Sequence, residues 1–307
     1  MQNNNINVLK YLMSIMIAMI HEGYSLEIPL LRAAVPVFFI ISSYFFFKKI
    51  DRTNPNEQKQ VWVSFIKRAL KLYLFWFIVL LPITVVRRGW YQEDVLTVLW
   101  DLVHGFTLGS TFPVSWYISA YIIGISLIYK FRKCQLTVGV VSLCCYILCT
   151  ISSNYYYLFD SQIFDFSWWG DIYNSFPVGL LFIYIGMKLA EKKKPTITIG
   201  VVGIIIGISL LCVENYLILK YSLRKADDCY FSLLILSPSV FVFFNSLPNI
   251  IRINTTYIKI LLFTLFNDCC DRSHFWDIAK NSIICANINR GNYSFYSLTL
   301  LITYQAI

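Results

Sequence analysis

The sequence predicts an all-α fold, a polytopic integral membrane bundle of about nine to ten transmembrane helices. Of its 307 residues, 57% are hydrophobic and only 14% are charged, and the mean hydropathy is +0.61. Apolar runs that approach the roughly 20 residues needed to cross a bilayer recur along the whole chain. Runs such as 199–213 are apolar on every side, whereas barrel strands alternate apolar and polar residues. A transmembrane barrel is therefore disfavoured. The composition argues against a soluble protein, and the recurrence of apolar runs along the chain argues against a protein with a single anchor.

The apolar runs define the expected elements in order. The candidate spans cover residues 6–22, 30–47, 70–86, 113–129, 136–152, 174–190, 196–213, 229–247 and 257–266. The first run has no small-residue cleavage site and is followed by Glu22, so we expect it to be retained. We predict a membrane domain over residues 1–266. An atypical, polar C-terminal region is expected over residues 267–307, because its last apolar run is too short for a comfortable crossing.

The positions of the positive charges predict the orientation. Lys and Arg number 26 against 17 acidic residues, and they cluster at 48–71, 130–133 and 192–194. Residues 22–29 and 153–173 contain neither Lys nor Arg, so the positive-inside rule predicts a cytoplasmic N-terminus. The exceptions are Arg87, Arg88, Lys220, Arg224 and Lys225. Because the cations lie in connections on one side of the membrane, they do not indicate nucleic-acid binding.

The cysteines do not predict a metal site or a disulfide framework. There are nine of them, most in or beside apolar runs, without CxxC or Cys/His ligand spacing. We interpret them as small buried apolar side chains. The sequence also lacks a Ser-His-Asp elbow and a Gly-rich phosphate loop. We therefore expect no bound metal and no bound cofactor.

Two ionisable residues on the first span are the first candidate site. Lys10 and His21 are eleven residues apart, which returns to within roughly 20° of the same helix face, about 16 Å along the axis. An ionisable group at membrane depth is costly and is by default a functional hypothesis. The two residues could border one polar channel. Alternatively, Lys10 snorkels to the surface and His21 is interfacial.

Three further cations complete the candidate set. Arg32 opens the second span close to His21, where it could hold a polar substrate or simply form a structural pair. Arg68 and Lys71 lie three residues apart in FIKRALKLYLFW, on one predicted helix face. They could bind the phosphates of an anionic donor, or they could be an ordinary positive-inside flank.

Several ordered motifs resemble the membrane-bound acyltransferase 3 family. The opening reads INVLKYLMSIMIAMIH and then LRAAVPVFFIISSYFFF, which resembles that family's basic residue, ten intervening residues and His, followed by VPLFFxxSGY. PVSWYISAYIIGISLI resembles its WYL segment, and NSFPVGLLFIYIGMKLA resembles its FPxGLxFxxIGxxL segment. The resemblance covers about residues 6–250. Ser43 stands where the family has Gly, and Lys71 stands where it has the second of two arginines.

The resemblance implies a membrane-embedded transferase of acyl groups. The donor would be an acyl-CoA, usually acetyl-CoA, acting as a substrate. The acceptor would be a sugar hydroxyl of a cell-surface or lipid-linked glycan, and the enzyme would contact lipid in the bacterial inner membrane. Arg68 and Lys71 would hold CoA phosphates, His21 would act as general base or transient acyl carrier, and Lys10 and Arg32 would line the path.

Two other functions fit the same residues. A transporter or flippase for an anionic or lipid-linked sugar would use the cations along a path without changing a bond. An inactive membrane scaffold with the same fold is favoured by the unusual C-terminal region. The first predicts movement of substrate without dependence on CoA, and the second predicts neither acylation nor transport.

Overall fold

The computed structural model describes residues 4–21, 24–112, 115–158, 172–192 and 195–248. Within these ranges the chain is helical and has no strands, which confirms the predicted all-α fold. The nine α-helices of the described residues are α1 (Asn4–His21), α2 (Ala34–Asp51), α3 (Gln58–Arg88), α4 (Val95–Leu108), α5 (Trp116–Phe131), α6 (Gln135–Ser153), α7 (Phe176–Glu191), α8 (Ile197–Lys220) and α9 (Leu233–Ser246). The predicted span 257–266 and the region 267–307 lie outside the described residues.

Four helical segments of the described chain are long and apolar enough to cross a membrane. They are Pro29–Asp51, Gln58–Arg88, Gln135–Ser153 and Ile197–Lys220. Segments α3 and α8 bury only a small part of their apolar window inside the bundle, so most of their large apolar side chains are left to face lipid. Because a helix satisfies its backbone hydrogen bonds internally, an apolar helix surface can be surrounded by lipid.

Helix α2 forms the centre of the bundle. It packs against α7, α9 and α1, with fewer contacts to α3, and nearly all of its apolar side chains are buried. Helix α7 approaches α2 closely because it has glycine where the two meet. A Cβ on Gly186 would lie 2.0 Å from Ser43 Oγ and 2.7 Å from the Ile40 carbonyl oxygen. Small residues allow this kind of close approach between membrane helices.

The structure corrects three predicted boundaries or elements. Helix α3 begins at Gln58, twelve residues before the predicted span at 70, because the basic segment that precedes the apolar run continues the helix. Helix α8 ends at Lys220 rather than 213, so Glu214 lies inside it. Helix α4 is not among the predicted spans. Its 14 residues extend about 21 Å, which is less than the thickness of the hydrocarbon core.

Two of the cations that break the predicted charge pattern have local partners. Arg88 forms an ion pair with Asp101 of α4, with 3.9 Å between Nη1 and Oδ2. Arg224 forms one with Asp227, with 3.8 Å between Nη1 and Oδ1. These contacts give both cations a local acidic partner, and the predicted cytoplasmic N-terminus stays a prediction.

Candidate active site

Helix α1 carries Lys10 and His21 in the predicted arrangement. Both lie in one continuous helix, and His21 is its last residue. Both side chains are partly buried. Ser14 donates a hydrogen bond from its Oγ to the Lys10 carbonyl oxygen, at 2.9 Å. The described contacts include no direct interaction between Lys10 and His21, as expected for their separation along the helix axis.

Two short 3-10 helices return the chain from α1 to α2 and bring Arg32 to His21. Tyr24–Leu26 and Pro29–Ala33 both pack against the end of α1 and against each other. Pro29 stands at the first position of the second one, where its missing N–H costs nothing. Arg32 lies close enough to His21 for an electrostatic interaction. The structure therefore brings together these two predicted site residues.

Arg32 is held by the connection between α8 and α9. Its Nη1 donates to Asp228 Oδ1 at 2.7 Å, and its Nη2 donates to Ser25 Oγ at 3.1 Å. Its Nε lies 3.6 Å from Asp227 Oδ2. The structural pair that the sequence left open for Arg32 is therefore present, and it lies beside His21 rather than away from it.

Asp227 is the buried member of this cluster. Its side chain is only 4% exposed, and it accepts a hydrogen bond at Oδ1 from the Tyr230 hydroxyl. The same hydroxyl lies 3.0 Å from Asn215 Oδ1 of α8. Burial, together with Asp227, raises the pKa of Tyr230 far above its usual range. The Tyr230 hydroxyl is the donor in its hydrogen bond with the Asp227 carboxylate.

The connection that carries both aspartates is tied to helices α6 and α8. Ser153, the last residue of α6, accepts at Oγ from the Asp228 N–H at 3.2 Å. Tyr146 of α6 donates to the Tyr230 carbonyl oxygen at 2.6 Å. Glu214 of α8 accepts from the N–H groups of Phe231 and Ser232 at 2.7 and 2.8 Å. A carboxylate on these N–H groups stabilises the start of α9.

An open, solvent-exposed cavity of about 530 Å³ lies along the first half of α3. Its described lining residues all belong to α3 and share one helix face: Lys59, Gln60, Val63, Ser64, Lys67, Arg68 and Lys71. Four of these seven are cations and none is acidic. The predicted pair Arg68 and Lys71 lies side by side on this face, and both side chains are exposed. This concentration of positive charge can bind an anion with several negative groups.

This part of α3 is fixed to the end of α5. The Trp62 indole N–H donates to Ser126 Oγ at 3.2 Å, and its ring stacks on Tyr129 at 5.7 Å between centroids. Arg132 donates to Gln58 Oε1 at 2.6 Å. The cations of α3 are thus carried on an anchored helix instead of a loop.

The segment that resembles the family's WYL motif begins α5, and its aromatic rings pack against α2. Tyr117 and Tyr121 are fully buried, and their rings stack at 6.2 Å with 3° between their planes. Both hydroxyls lie near Ser42 of α2. Tyr121 also interacts electrostatically with Arg68. Two buried phenol groups therefore lie between Ser42 of α2 and the α3 cation Arg68.

The structure separates the predicted residues into two groups. His21 and Arg32 are at one end of α1, and Arg68 and Lys71 are in the cavity of α3. Among the described residues, no contact joins Lys10 to either group. The cluster around Asp227 and Asp228 is not among the predicted site residues. Two adjacent carboxylates beside an apolar run are the sequence feature that could have indicated it. Glu214 was hidden by the predicted end of its span at 213.

Comparisons with known proteins agree with the resemblance. A family model described as "Acyltransferase domain" (Acyl_transf_3) matches residues 3–283, which reaches beyond residue 250 and into the region 267–307. A protein named "Serine/alanine racemase" from Enterococcus gallinarum is 32% identical over 95 residues. That alignment covers 28% of this chain and 14% of the relative, so the chain spans only a small part of that protein's length. No solved structure matches the chain.

The family match rests on nearly the full length of the chain. It is consistent with the all-helical fold and with the long apolar helices of the described residues. A membrane protein that carries an acyltransferase domain over residues 3–283 is expected to transfer acyl groups at the membrane. This chain belongs to the membrane-bound acyltransferase 3 family.

Proposed function

We propose that this acyltransferase moves an acetyl group from acetyl-CoA to a sugar hydroxyl of a cell-surface or exported glycan. The observation that carries the proposal is the cavity on α3, with its four cations and no acidic residue among the described lining. CoA carries a diphosphate and a 3′-phosphate, whereas its acyl end is neutral. A cationic surface of this kind suits the phosphates at the nucleotide end of the donor.

The donor enters from the cytoplasm. The α3 cations belong to the most basic connection of the chain, residues 48–71, which the positive-inside rule assigns to the cytoplasmic side. In this arrangement the N-terminus is cytoplasmic and His21 lies toward the opposite face of the inner membrane. The glycan acceptor approaches from that opposite face, and the acyl end of the donor extends through the bundle interior.

His21 serves as general base for the transfer. The acceptor hydroxyl gives its proton to the imidazole while its oxygen forms a bond to the acyl carbon. The carbon–sulfur bond breaks, and the CoA thiolate leaves and takes up that proton, so the products are an ester and free CoA. A neutral imidazole is suited to this proton transfer near pH 7. Lys10 lines the path between the two ends of α1.

The test uses acetyl-CoA labelled with ¹⁴C in the acetyl group and ³H in the CoA part, supplied to the cytoplasmic side of membrane vesicles that contain the full chain. We expect ¹⁴C in the glycan and ³H in free CoA on the cytoplasmic side, in equal amounts. Label that crosses the membrane with both isotopes together would indicate a transporter. Absence of ¹⁴C transfer with acetyl-CoA and with longer acyl-CoA donors would contradict the proposal and favour a scaffold.

If His21 carried the acyl group instead of acting as base, ¹⁴C would appear on the protein when the acceptor is omitted. An acid-labile label on His21 under these conditions would replace the base mechanism by a two-step transfer. Transfer that requires donor and acceptor together, without labelled protein, supports the base.

A further inference from the structure

The contacts of Arg32 are more extensive than a single ion pair requires. The guanidinium contacts two carboxylates, from the connection between α8 and α9, and one hydroxyl, from the connection between α1 and α2. Arg32 is 196 positions from Asp228 and 7 from Ser25. A guanidinium with contacts along both edges has one orientation, because its donors form a rigid planar fork.

The two carboxylates differ in exposure, and the difference separates their roles. The Asp227 side chain is 4% exposed, whereas those of Arg32 and Asp228 are 18% and 17% exposed. The buried carboxylate anchors the cluster through Tyr230 and Arg224. Arg32 and Asp228 are the more exposed members of the cluster, so Arg32 is the cation that a substrate could reach.

Arg32 keeps hydrogen-bonding capacity for a substrate. Its Nη1 and Nη2 carry two N–H groups each, and the described hydrogen bonds use one of each. Pro29–Ala33 packs against α1, and Arg32 lies close enough to His21 for an electrostatic interaction. A fixed cation with such donors is suited to the negative charge that forms on a carbonyl oxygen under attack.

We propose that Asp227 and Asp228 are positioning residues that hold the Arg32 guanidinium beside His21, where it stabilises the negative charge on the acyl oxygen during transfer. The inference rests on the proposed function for its chemical step. The hydroxyl oxygen bonds to the acyl carbon, the carbonyl oxygen gains and then returns an electron pair, and the bond to sulfur breaks. The aspartates act only through Arg32 and do not touch the substrate.

The kinetic test compares Asp228→Asn, Arg32→Gln and the double variant in the purified full chain at matched amounts. We expect each single variant to lower kcat by about tenfold or more, with KM for acetyl-CoA changed by less than about twofold. The double variant should be no slower than Arg32→Gln, because Asp228 acts through Arg32. Asp228→Glu, which keeps the carboxylate, should recover most of the lost kcat.

The matched control is Asp101→Asn. Asp101 is also a partly exposed carboxylate that forms an ion pair with an arginine, Arg88. It accepts a hydrogen bond from the Trp90 indole N–H at 3.0 Å. It should leave kcat unchanged. Wild-type kcat in Asp228→Asn, or equal losses in Asp228→Asn and Asp101→Asn, would overturn the inference. So would a loss in Asp228→Asn that Asp228→Glu does not relieve although that variant is inserted and folded.

A second readout does not depend on transfer. Diethyl pyrocarbonate modifies histidine imidazoles, and the extent of modification at His21 is measured by mass spectrometry on membranes that contain the full chain. Arg32→Gln and Asp228→Asn should change the modification rate in the same direction, and Asp101→Asn should not change it. If the wild type transfers no acetyl group but these rates change as expected, the proposed function fails, whereas the positioning of Arg32 by Asp227 and Asp228 is supported. Unchanged rates in both variants would contradict the inference that the aspartates position Arg32 beside His21.

Discussion

Arg32 and Asp228 are 196 positions apart in the sequence, yet Arg32 Nη1 and Asp228 Oδ1 are 2.7 Å apart. The pair joins the start of the second span to the connection between α8 and α9. The end of the bundle that carries His21 is therefore complete only when α8 and α9 have packed against the first two helices. Stability and activity should depend together on this connection.

The buried carboxylate Asp227 should contribute more to stability than an exposed one. Asp227→Ala leaves Arg32 and Arg224 without their buried partner, and we expect it to lower the free energy of unfolding by about 3 kcal/mol. Thermal unfolding of the purified chain in detergent measures this loss. Glu57→Ala is the control, because Glu57 is exposed and its side chain makes no capping hydrogen bond at the start of α3. Similar unfolding of the two variants would contradict the prediction.

The α3 cations should act on donor binding rather than on the chemical step. Arg68→Gln and Lys71→Gln each remove a charged contact to a phosphate, so we expect each to raise KM for acetyl-CoA by about tenfold with a smaller effect on kcat. Steady-state kinetics in vesicles measures both constants. Lys49→Gln is the control, because Lys49 is an exposed cation at the end of α2 that does not line the cavity. An equal rise in KM for Lys49→Gln would show that only the overall charge matters.

The same variants should lose their effect with a donor that lacks phosphates. With an acetyl thioester of N-acetylcysteamine, the wild type and the two α3 variants should react at similar rates, because no phosphate is present to bind. A persistent defect in Arg68→Gln or Lys71→Gln with this donor would assign the residues to another step.

Lys71 departs from the pair of arginines that the family resemblance implies. A lysine offers a point charge, whereas an arginine can bind a phosphate through two parallel hydrogen bonds. We expect Lys71→Arg to lower KM for acetyl-CoA by a few fold, with kcat unchanged. An unchanged or raised KM, measured in the same vesicles, would indicate that Lys71 does not contact the donor.

The close contact between α2 and α7 should be sensitive to a single methyl group. In Gly186→Ala the new Cβ would meet Ser43 Oγ at 2.0 Å and the Ile40 carbonyl oxygen at 2.7 Å. Overpacking of this kind costs about 1–3 kcal/mol, so the melting temperature should fall. The double variant Ser43→Gly with Gly186→Ala should recover part of the loss, because it removes the nearer clash. No recovery would show that the backbone of Ile40 dominates.

The sequence predicted the helical membrane fold and most elements because apolar runs report burial in lipid directly. It predicted neither α4 nor the full length of α3. In α4 the apolar run is interrupted by Asp101, which pairs with Arg88 and accepts a hydrogen bond from Trp90. In α3 the basic residues that precede the apolar run are also helical, so the helix starts earlier than the hydropathy indicates. Polar residues with local partners are thus the main cause of these errors.

The site was predicted in part for a similar reason. His21 and Arg32 are close in sequence, so their proximity could be expected from the short connection between two spans. The partnership of Arg32 with Asp227 and Asp228 depends on how α8 and α9 pack, and no local pattern encodes it. Lys59 and Lys67 were attributed to the positive-inside flank, because only the helix geometry shows that they share a face with Arg68 and Lys71.

The most direct test of the account is the initial rate of acetyl transfer from radiolabelled acetyl-CoA to the surface glycan, in membranes that carry the wild type, His21→Ala or His104→Ala at matched abundance. His104 lies on α4, outside the proposed site. A general base contributes about a hundredfold to ten-thousandfold, so the account predicts transfer by the wild type and by His104→Ala and almost none by His21→Ala. A rate in His21→Ala equal to that of the wild type would contradict it.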